Sequence, residues 1–372
     1  MTRSLAEAQR AGSGRRIGFD LSKAHHPDGI GTWQREMARA LATTARPDRS
    51  VDDRWLGLAA APDLDLGLDL AREGSTFELG AGSVTDPPPD LDVLVSSAWT
   101  VPRAFDGLLI FVVHDLTFLT HPHCHLVENR LHCLEGLLRA ALLGRCRFVA
   151  VSRSTAEILH ELVSPDLAVD VVPNGVDSFW TADAPSEPLP TELRDGEGGG
   201  EYVLSVGSLE PRKNLHRLWQ AHRRLDPELR RRYPLALVGG HGWKNEDLLA
   251  RLRGDPEVHV LGRVSRPLLR TLYKRAALFV YPSLAEGFGL PVVEAMACAA
   301  PVLTSDTTSL PEVAGDVAVQ VDPREIEDLW AAMDALLRDP DRRRHMAERG
   351  PARAAGFDWR SSARRLLDLI HG

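Results

Sequence analysis

The chain reads as an α/β protein built from two Rossmann-like, doubly wound domains in tandem, and three observations predict it. Apolar, β-branched runs recur without polar alternation, as strands covered on both faces do. Stretches with helical periodicity lie between most of them. One segment, TADAPSEPLPTELRDGEGGG (181–200), loses periodicity altogether and is dominated by Pro, Gly and acidic residues, which places a linker there.

In the first half the strand runs are RRIGFD (15–20), WLGLAA (55–60), DVLVSS (92–97), LLIFVV (108–113), RFVAV (147–151) and VDVV (169–172). The first runs into a glycine turn, PDGIGTW, that opens an amphipathic helix ending near Leu41. Ser154 followed by Glu157 predicts a capping box for the helix after RFVAV. The second half repeats the scheme with EYVLSV (201–206), PLALV (234–238), VHVL (258–261), LFVYP (278–282), PVLTS (301–305) and VAVQV (317–321). The expected domains are therefore 1–182 and 201–356, joined by 183–200. Ligands of such sheets sit beyond the carboxyl ends of the strands, so the two rims would face each other across a cleft.

Composition narrows the function. With 44% hydrophobic and 26% charged residues the chain is a globular protein, and a net charge of −8 argues against nucleic acid as a partner. No apolar run approaches the roughly 20 residues that span a bilayer, and the N-terminus lacks the apolar core of a signal peptide. The expectation is a cytoplasmic protein, with peripheral contact at the inner membrane face left open. The four cysteines, Cys124, Cys133, Cys146 and Cys298, are too few and too irregular for a disulfide framework.

The densest chemical signal is YPSLAEGFGLPVVEAMACAAPVLTSDTTSLPEVAG, where Pro291 marks a helix start after a glycine loop. Such a helix turns its free N–H groups and positive dipole end toward the loop, so Phe288, Gly289 and Leu290 offer amides to an anion such as a diphosphate. Glu286 lies before the helix and Glu294 is expected in its first turn; carboxylates there accept hydrogen bonds from sugar hydroxyls. Glu294 could equally complement the helix dipole alone, and Glu286 could be solvated.

The second signal is VGSLEPRKN (206–214), a strand and glycine turn followed by Arg212 and Lys213. Lysine occurs at only four positions, so its presence here is informative. A guanidinium beside an ammonium suits phosphate oxygens, although a basic pair at a turn is also met as a solvated pair. Both signals follow strands of the same sheet, where one ligand would find both.

At this point the chain resembles the large group of retaining GT-B glycosyltransferases with a paired-glutamate motif (glycosyltransferase group 1, family 4), which includes bacterial mannosyltransferases of polysaccharide assembly. The resemblance spans nearly the whole chain, through GIGTWQREMARAL (29–41), HDLTFL (114–119), VSRSTAEIL (151–159), VVPNGVD (171–177), GSLEPRKN (207–214), EGFGLPVVE (286–294) and SLPEVAGD (309–316). It implies that Arg212 and Lys213 bind the donor diphosphate, Glu286 the transferred sugar and Glu294 the ribose. It implies further that Gly29, Gly31 and Gly207 let backbone approach the diphosphate, and that His114 lies near the donor sugar. Phe288, Gly289 and Leu290 would supply amides, the first domain most of the acceptor site, and a final helix around Ser361–Ile370, within 357–372, would pack back on the first domain.

The implied reaction moves a hexose, with mannose from GDP-mannose the first choice, to a hydroxyl of a glycan or lipid-linked acceptor in cell-surface polysaccharide biosynthesis. It would need no metal and no cofactor beyond the nucleotide diphosphate sugar. A transferase acting on a small natural product and an inactive homologue serving as a binding subunit stay open as alternatives, and oligomeric state is not readable. Trp33 stands where a smaller residue is usual and is expected to reshape the acceptor side. His121, His123, Cys124, His125, His132 and Cys133 fit no zinc spacing, and the short acidic pairs Asp63/Asp65 and Asp90/Asp92 read as surface.

Overall fold

The computed structural model describes residues 14–44, 53–59, 77–81, 83–194 and 200–372. The chain divides into two compact units. The first comprises residues 1–118, 127–175 and 358–372, and the second 119–126 and 176–357.

In the first unit β1 (Arg16–Asp20), β2 (Arg54–Ala59), β3 (Phe77–Ala81), β4 (Val93–Ser96), β5 (Leu108–Val113), β6 (Cys146–Ala150) and β7 (Val169–Val171) form one sheet in the order β3-β2-β1-β4-β5-β6-β7. Every pairing is parallel. Six of these strands are the runs read from sequence; β3, FELGA, is an additional edge strand whose short, glycine-broken pattern gives little signal. The strand order turns back between β1 and β4, the place where a doubly wound sheet opens a crevice.

Helix Gly29–Thr44 follows β1. Asp28 starts it, its carboxylate accepting from Gly31 N at 2.8 Å and its carbonyl from Thr32 N at 2.9 Å. The helix after β6 is Arg153–Leu162, and its cap is Ser152, which accepts from Thr155 N, rather than the predicted Ser154. The cap lies two residues before the one the Ser154–Glu157 spacing implied, because Ser152 is the last residue in extended geometry. Asp92 accepts from Arg16 N at 2.9 Å and Asp90 pairs with the Arg16 side chain, so this acidic pair pins the start of β1. Asp63 and Asp65 lie outside the described residues.

The second unit holds β8 (Val203–Val206), β9 (Leu235–Val238), β10 (Val258–Gly262), β11 (Leu278–Tyr281), β12 (Val302–Ser305) and β13 (Val319–Val321), all six expected from sequence. They run parallel in the order β10-β9-β8-β11-β12-β13. Val203, Leu235, Leu278 and Leu303 meet Leu215, Leu218, Leu329 and Met333 of the covering helices in one core cluster. Burial of a side chain of this kind stabilises by about 1.5–3 kcal/mol, which is why four-residue strands suffice.

The stretch 181–200 read as a linker is tied down where it is described. Glu187 N donates to Thr271 Oγ1 at 2.8 Å, Lys274 donates to Ala184 O, and Arg270 donates to Pro185 O at 3.4 Å, all three partners on helix Arg266–Arg275. Residues 195–199 of it lie outside the described residues.

The closing helix is Trp359–His371, capped by Asp358, which accepts from Arg360 N and Ser361 N at 3.2 and 3.0 Å. It packs on helix Gly29–Thr44 in the first unit. Gly175 permits this return: a Cβ there would stand 2.4 Å from Trp359 N. Among the described residues no helix is long and apolar enough to cross a membrane.

Candidate active site

The turn back in strand order of the second sheet falls between β8 and β11, and the two chemical signals of the sequence follow those two strands. Their loops therefore emerge side by side. After β8, Gly207 sits at φ +148°, a conformation open to glycine, and the Lys213 side chain runs alongside it, 3.2 Å from where a Cβ would be. Pro211–Lys213 make a single 3-10 turn, which Asn214 ends in the left-handed region at φ +58°. The Asn214 amide donates to Pro282 O at 3.0 Å and Pro323 O at 2.6 Å, which locks this turn against the loop after β11.

Locked in this way, Arg212 and Lys213 both point at Glu286. Arg212 Nη1 donates to Glu286 Oε2 at 2.6 Å and to Ala285 O at 2.9 Å; Lys213 Nζ donates to Glu286 Oε1 at 2.6 Å. Arg212 Nη2 meets Glu210 Oε1 at 2.6 Å, and Tyr281 OH lies 2.6 Å from Lys213 Nζ and 2.9 Å from Glu286 Oε1. The four charged side chains are 4–13% exposed. Burial alone would raise the Glu286 carboxyl, but Arg212 and Lys213 outweigh it and hold the group down at about 2. Two cations thus stand in direct contact with two carboxylates.

The backbone of Glu286 is held as firmly as its carboxylate. Its N–H donates to Thr308 Oγ1 at 3.0 Å, and Ser309 Oγ donates to Glu286 O and Phe288 O, both at 2.9 Å. Helix Leu290–Ala297 follows, with Gly289 at φ +106° in its N-cap position and no side-chain cap; Pro291 has no N–H and Val292 N donates to Gly289 O at 2.9 Å. Glu294 is the fifth residue of this helix and so lies in its second turn, not the first. The helix begins at Leu290, with Pro291 second, which moves the glutamate beyond the turn where the dipole acts most strongly.

Glu294 is half-buried, and Tyr273 OH donates to its Oε2 at 3.0 Å. Burial raises its carboxyl to about 8, against the pull of the Tyr273 hydrogen bond and Arg266. The folded protein keeps this proton up to about pH 8, whereas the unfolded chain releases it above about 4.5, so stability falls as pH rises across that window. Denaturant unfolding at pH 5.5 and 8.5 is expected to show Glu294→Gln losing less stability than wild type on the alkaline side, by on the order of 3 kcal/mol. Equal losses in the two proteins would remove this assignment.

The remaining candidates lie in the first unit. His114 follows β5, with its ring 5.5 Å from the Trp33 ring and nearly perpendicular to it. Burial pulls its pKa down to about 4, against Asp115 and Asp28, so the imidazole is neutral at physiological pH. Its Nε2 is enclosed without a hydrogen-bond partner among the described residues, and the same holds for Trp33 Nε1. Trp33 itself is 1% exposed and stacks on Phe19 at 5.6 Å. It is a core residue backing His114, not a surface that reshapes an acceptor site; its place on the inner face of an amphipathic helix decides this.

Gly29 and Gly31 differ. A Cβ on Gly29 would meet nothing within 4 Å, whereas one on Gly31 would fall 2.1 Å from His26 O and 2.5 Å from Lys23 O. The histidine and cysteine run separates: residues 119–126 belong to the second unit, while His132 and Cys133 sit on a helix of the first. There Trp243 Nε1 donates to Cys124 O at 2.6 Å and Lys244 Nζ to His123 O and His125 O at 3.0 and 2.9 Å.

Glu210, Asn214, Tyr273, Tyr281, Thr308 and Ser309 escaped the sequence reading. All but Tyr273 lie within the blocks at 206–214 and 281–315, and the partners of Glu210, Asn214 and Tyr281 become visible only when β8 and β11 are neighbours.

Comparison with known proteins gives the family. Residues 195–353 match the model of "Glycosyl transferases group 1". The O-antigen chain mannosyltransferase B of Escherichia coli is 36% identical over 260 residues, 68% of this chain and 68% of that protein. The serotype-specific mannosyltransferase WbdA of Escherichia coli is 30% identical over 73% of this chain, which spans only 35% of that longer protein. In structure, WaaG, a glycosyltransferase involved in lipopolysaccharide biosynthesis, superimposes with a TM-score of 0.70 at 17% identity, over 96% of this chain and all of that one. With two Rossmann-like units of the GT-B fold and these relatives, the chain belongs to the group 1 glycosyltransferases.

Proposed function

We propose that the protein is a retaining hexosyltransferase that moves mannose from GDP-mannose to a hydroxyl of a glycan or lipid-linked acceptor during cell-surface polysaccharide assembly, at the cytoplasmic side and without a metal. The observation that carries this reading is Glu286 clamped between Arg212 and Lys213 in front of an uncapped helix N-terminus. The mannosyl donor and the glycan acceptor follow the names of the two Escherichia coli relatives.

An arriving diphosphate carries the charge that Glu286 and Glu210 now supply to the two cations. It would take over Arg212 and Lys213 together with the amides of Phe288, Gly289 and Leu290, and release the Glu286 carboxylate toward the sugar hydroxyls. As the bond to the anomeric carbon breaks, the same groups stabilise charge on the leaving phosphate, which takes up the acceptor proton. Glu294 holds the ribose. His114, neutral, positions and does not donate a proton. The first unit carries the acceptor side.

Thermal unfolding in a panel of nucleotide sugars tests the donor. At a ligand concentration about 100 times its Kd, binding adds about 2.7 kcal/mol of stability. GDP-mannose is expected to raise Tm more than UDP-glucose or GDP alone, and to be hydrolysed slowly without acceptor. A panel in which no nucleotide sugar moves Tm removes the reading.

A further inference from the structure

Helix Val127–Leu142 of the first unit buries one face through Gly136, Leu137 and Ala140. Gly136 makes that close seat, since a Cβ there would stand 2.2 Å from Trp99 O. The opposite face is apolar and open to solvent. Val127, Leu131, Leu134, Leu138 and Leu142 are 36–85% exposed, and Ala141 is exposed beside them. Among the described residues only two further large hydrophobics, Leu126 and Leu162, are as exposed.

The spacing of this stripe is specific. Steps of four, three, four and three residues lead from Val127 through Leu131, Leu134 and Leu138 to Ala141, the a/d seam by which one helix packs along another. Charges flank it unequally. Glu128 and Glu135 lie along one edge, where Arg139 pairs with Oε1 of Glu135 at 2.5 Å, and Arg130 lies along the other. Two copies of this helix laid side by side in the same direction bring Arg130 of each against the glutamate edge of the other. Laid in opposite directions they bring glutamate against glutamate.

We propose that this face is the contact for a second copy of the chain, the two helices packing in parallel about a two-fold axis with Arg130 paired to Glu135 of the other copy. Such an isologous contact repeats each interaction twice. Anionic lipid fits the face less well, because headgroup binding draws on clustered basic residues, whereas Arg130 and Arg139 lie on opposite edges and Arg139 is paired with Glu135. The helix is about 24 Å long, and the contact it forms is a small one, expected to dissociate in the micromolar range. The inference is independent of the donor and acceptor assigned above.

Sedimentation equilibrium of the full chain from about 1 to 100 µM tests it. Wild type is expected to reach twice the chain mass. Leu131→Glu/Leu138→Glu should raise the dissociation constant at least about 100-fold while circular dichroism and Tm stay unchanged. Arg130→Glu should weaken association about 3- to 10-fold, and Arg130→Glu/Glu135→Arg should restore it. The charge pair changes only exposed residues, so it decides the matter even if the leucine double variant does not fold. A wild type that is monomeric throughout, a dimer indifferent to the Leu131/Leu138 changes, or a swap that fails to restore association would each overturn the proposal. So would a monomer that instead floats with phosphatidylglycerol vesicles through these leucines.

Discussion

Glu286→Ala is expected to lower the turnover of donor and acceptor by about 10²- to 10³-fold, the loss typical when one preorganised electrostatic contact to a reacting centre is removed. Donor binding should not fall in parallel. This carboxylate neutralises Arg212 and Lys213, at 2.6 Å from each, and under the proposed function it gives them up to the donor diphosphate. Without it, GDP should bind as tightly as to wild type or more tightly. Steady-state kcat together with calorimetric titration of GDP separates the two effects, and a kcat within about threefold of wild type would sink the assignment. Stability should also drop, because Glu210 alone then faces two buried cations; uncompensated charge of this kind costs about 3–5 kcal/mol when nothing replaces it. The contribution of Glu286 is present above about pH 4.5 and is lost as pH falls toward its folded value of about 2.

The second large effect is at the glycine turn of the first unit, where one motif is expected to give opposite results at two positions. Gly31→Ala drives a methyl into His26 O and Lys23 O, backbone atoms that cannot swing aside, and should cost about 3 kcal/mol or more. Gly29→Ala enters open space at the first turn of the helix and should leave stability the same or slightly higher, since alanine is the better helix former. If a donor approaches this helix end, Gly29→Ala raises the donor KM with kcat little changed. Urea midpoints for both variants and donor KM for Gly29→Ala check this; a Gly31→Ala protein as stable as wild type would show that the 21–28 loop yields easily.

Much of the fold was legible because parallel strands covered on both faces leave plain apolar runs: LLIFVV and LFVY are almost without polar residues. FELGA was not legible, since it is an edge strand whose place is set by β2 and not by its own pattern. The stretch after Thr181 looked like a linker for a related reason. It has no periodicity, but helix Arg266–Arg275 supplies hydrogen bonds that hold it. In the site, Arg212, Lys213, Glu286 and Glu294 stood out as residue types in suggestive blocks. What they bond to did not, because Tyr281 reaches Lys213, and Asn214 reaches Pro282, across 68 residues of sequence. The proton on Glu294 was also hidden, since burial and not spacing decides it. Sequence supplied the parts of the site, and sheet topology decided which of them touch.

The eight residues 119–126 leave the first unit, join the second, and return. With the crossings at 175/176 and 357/358, the backbone passes between units four times. A hybrid enzyme joined at residue 175 would therefore not exchange whole units. Its second unit would receive the neighbouring parent's 119–126 segment, whose carbonyls must meet Trp243 and Lys244. Recombination among relatives at that single junction should succeed only where the segment and its two anchors come from compatible parents, so inheritance of the second unit is coupled to eight residues encoded well upstream of it.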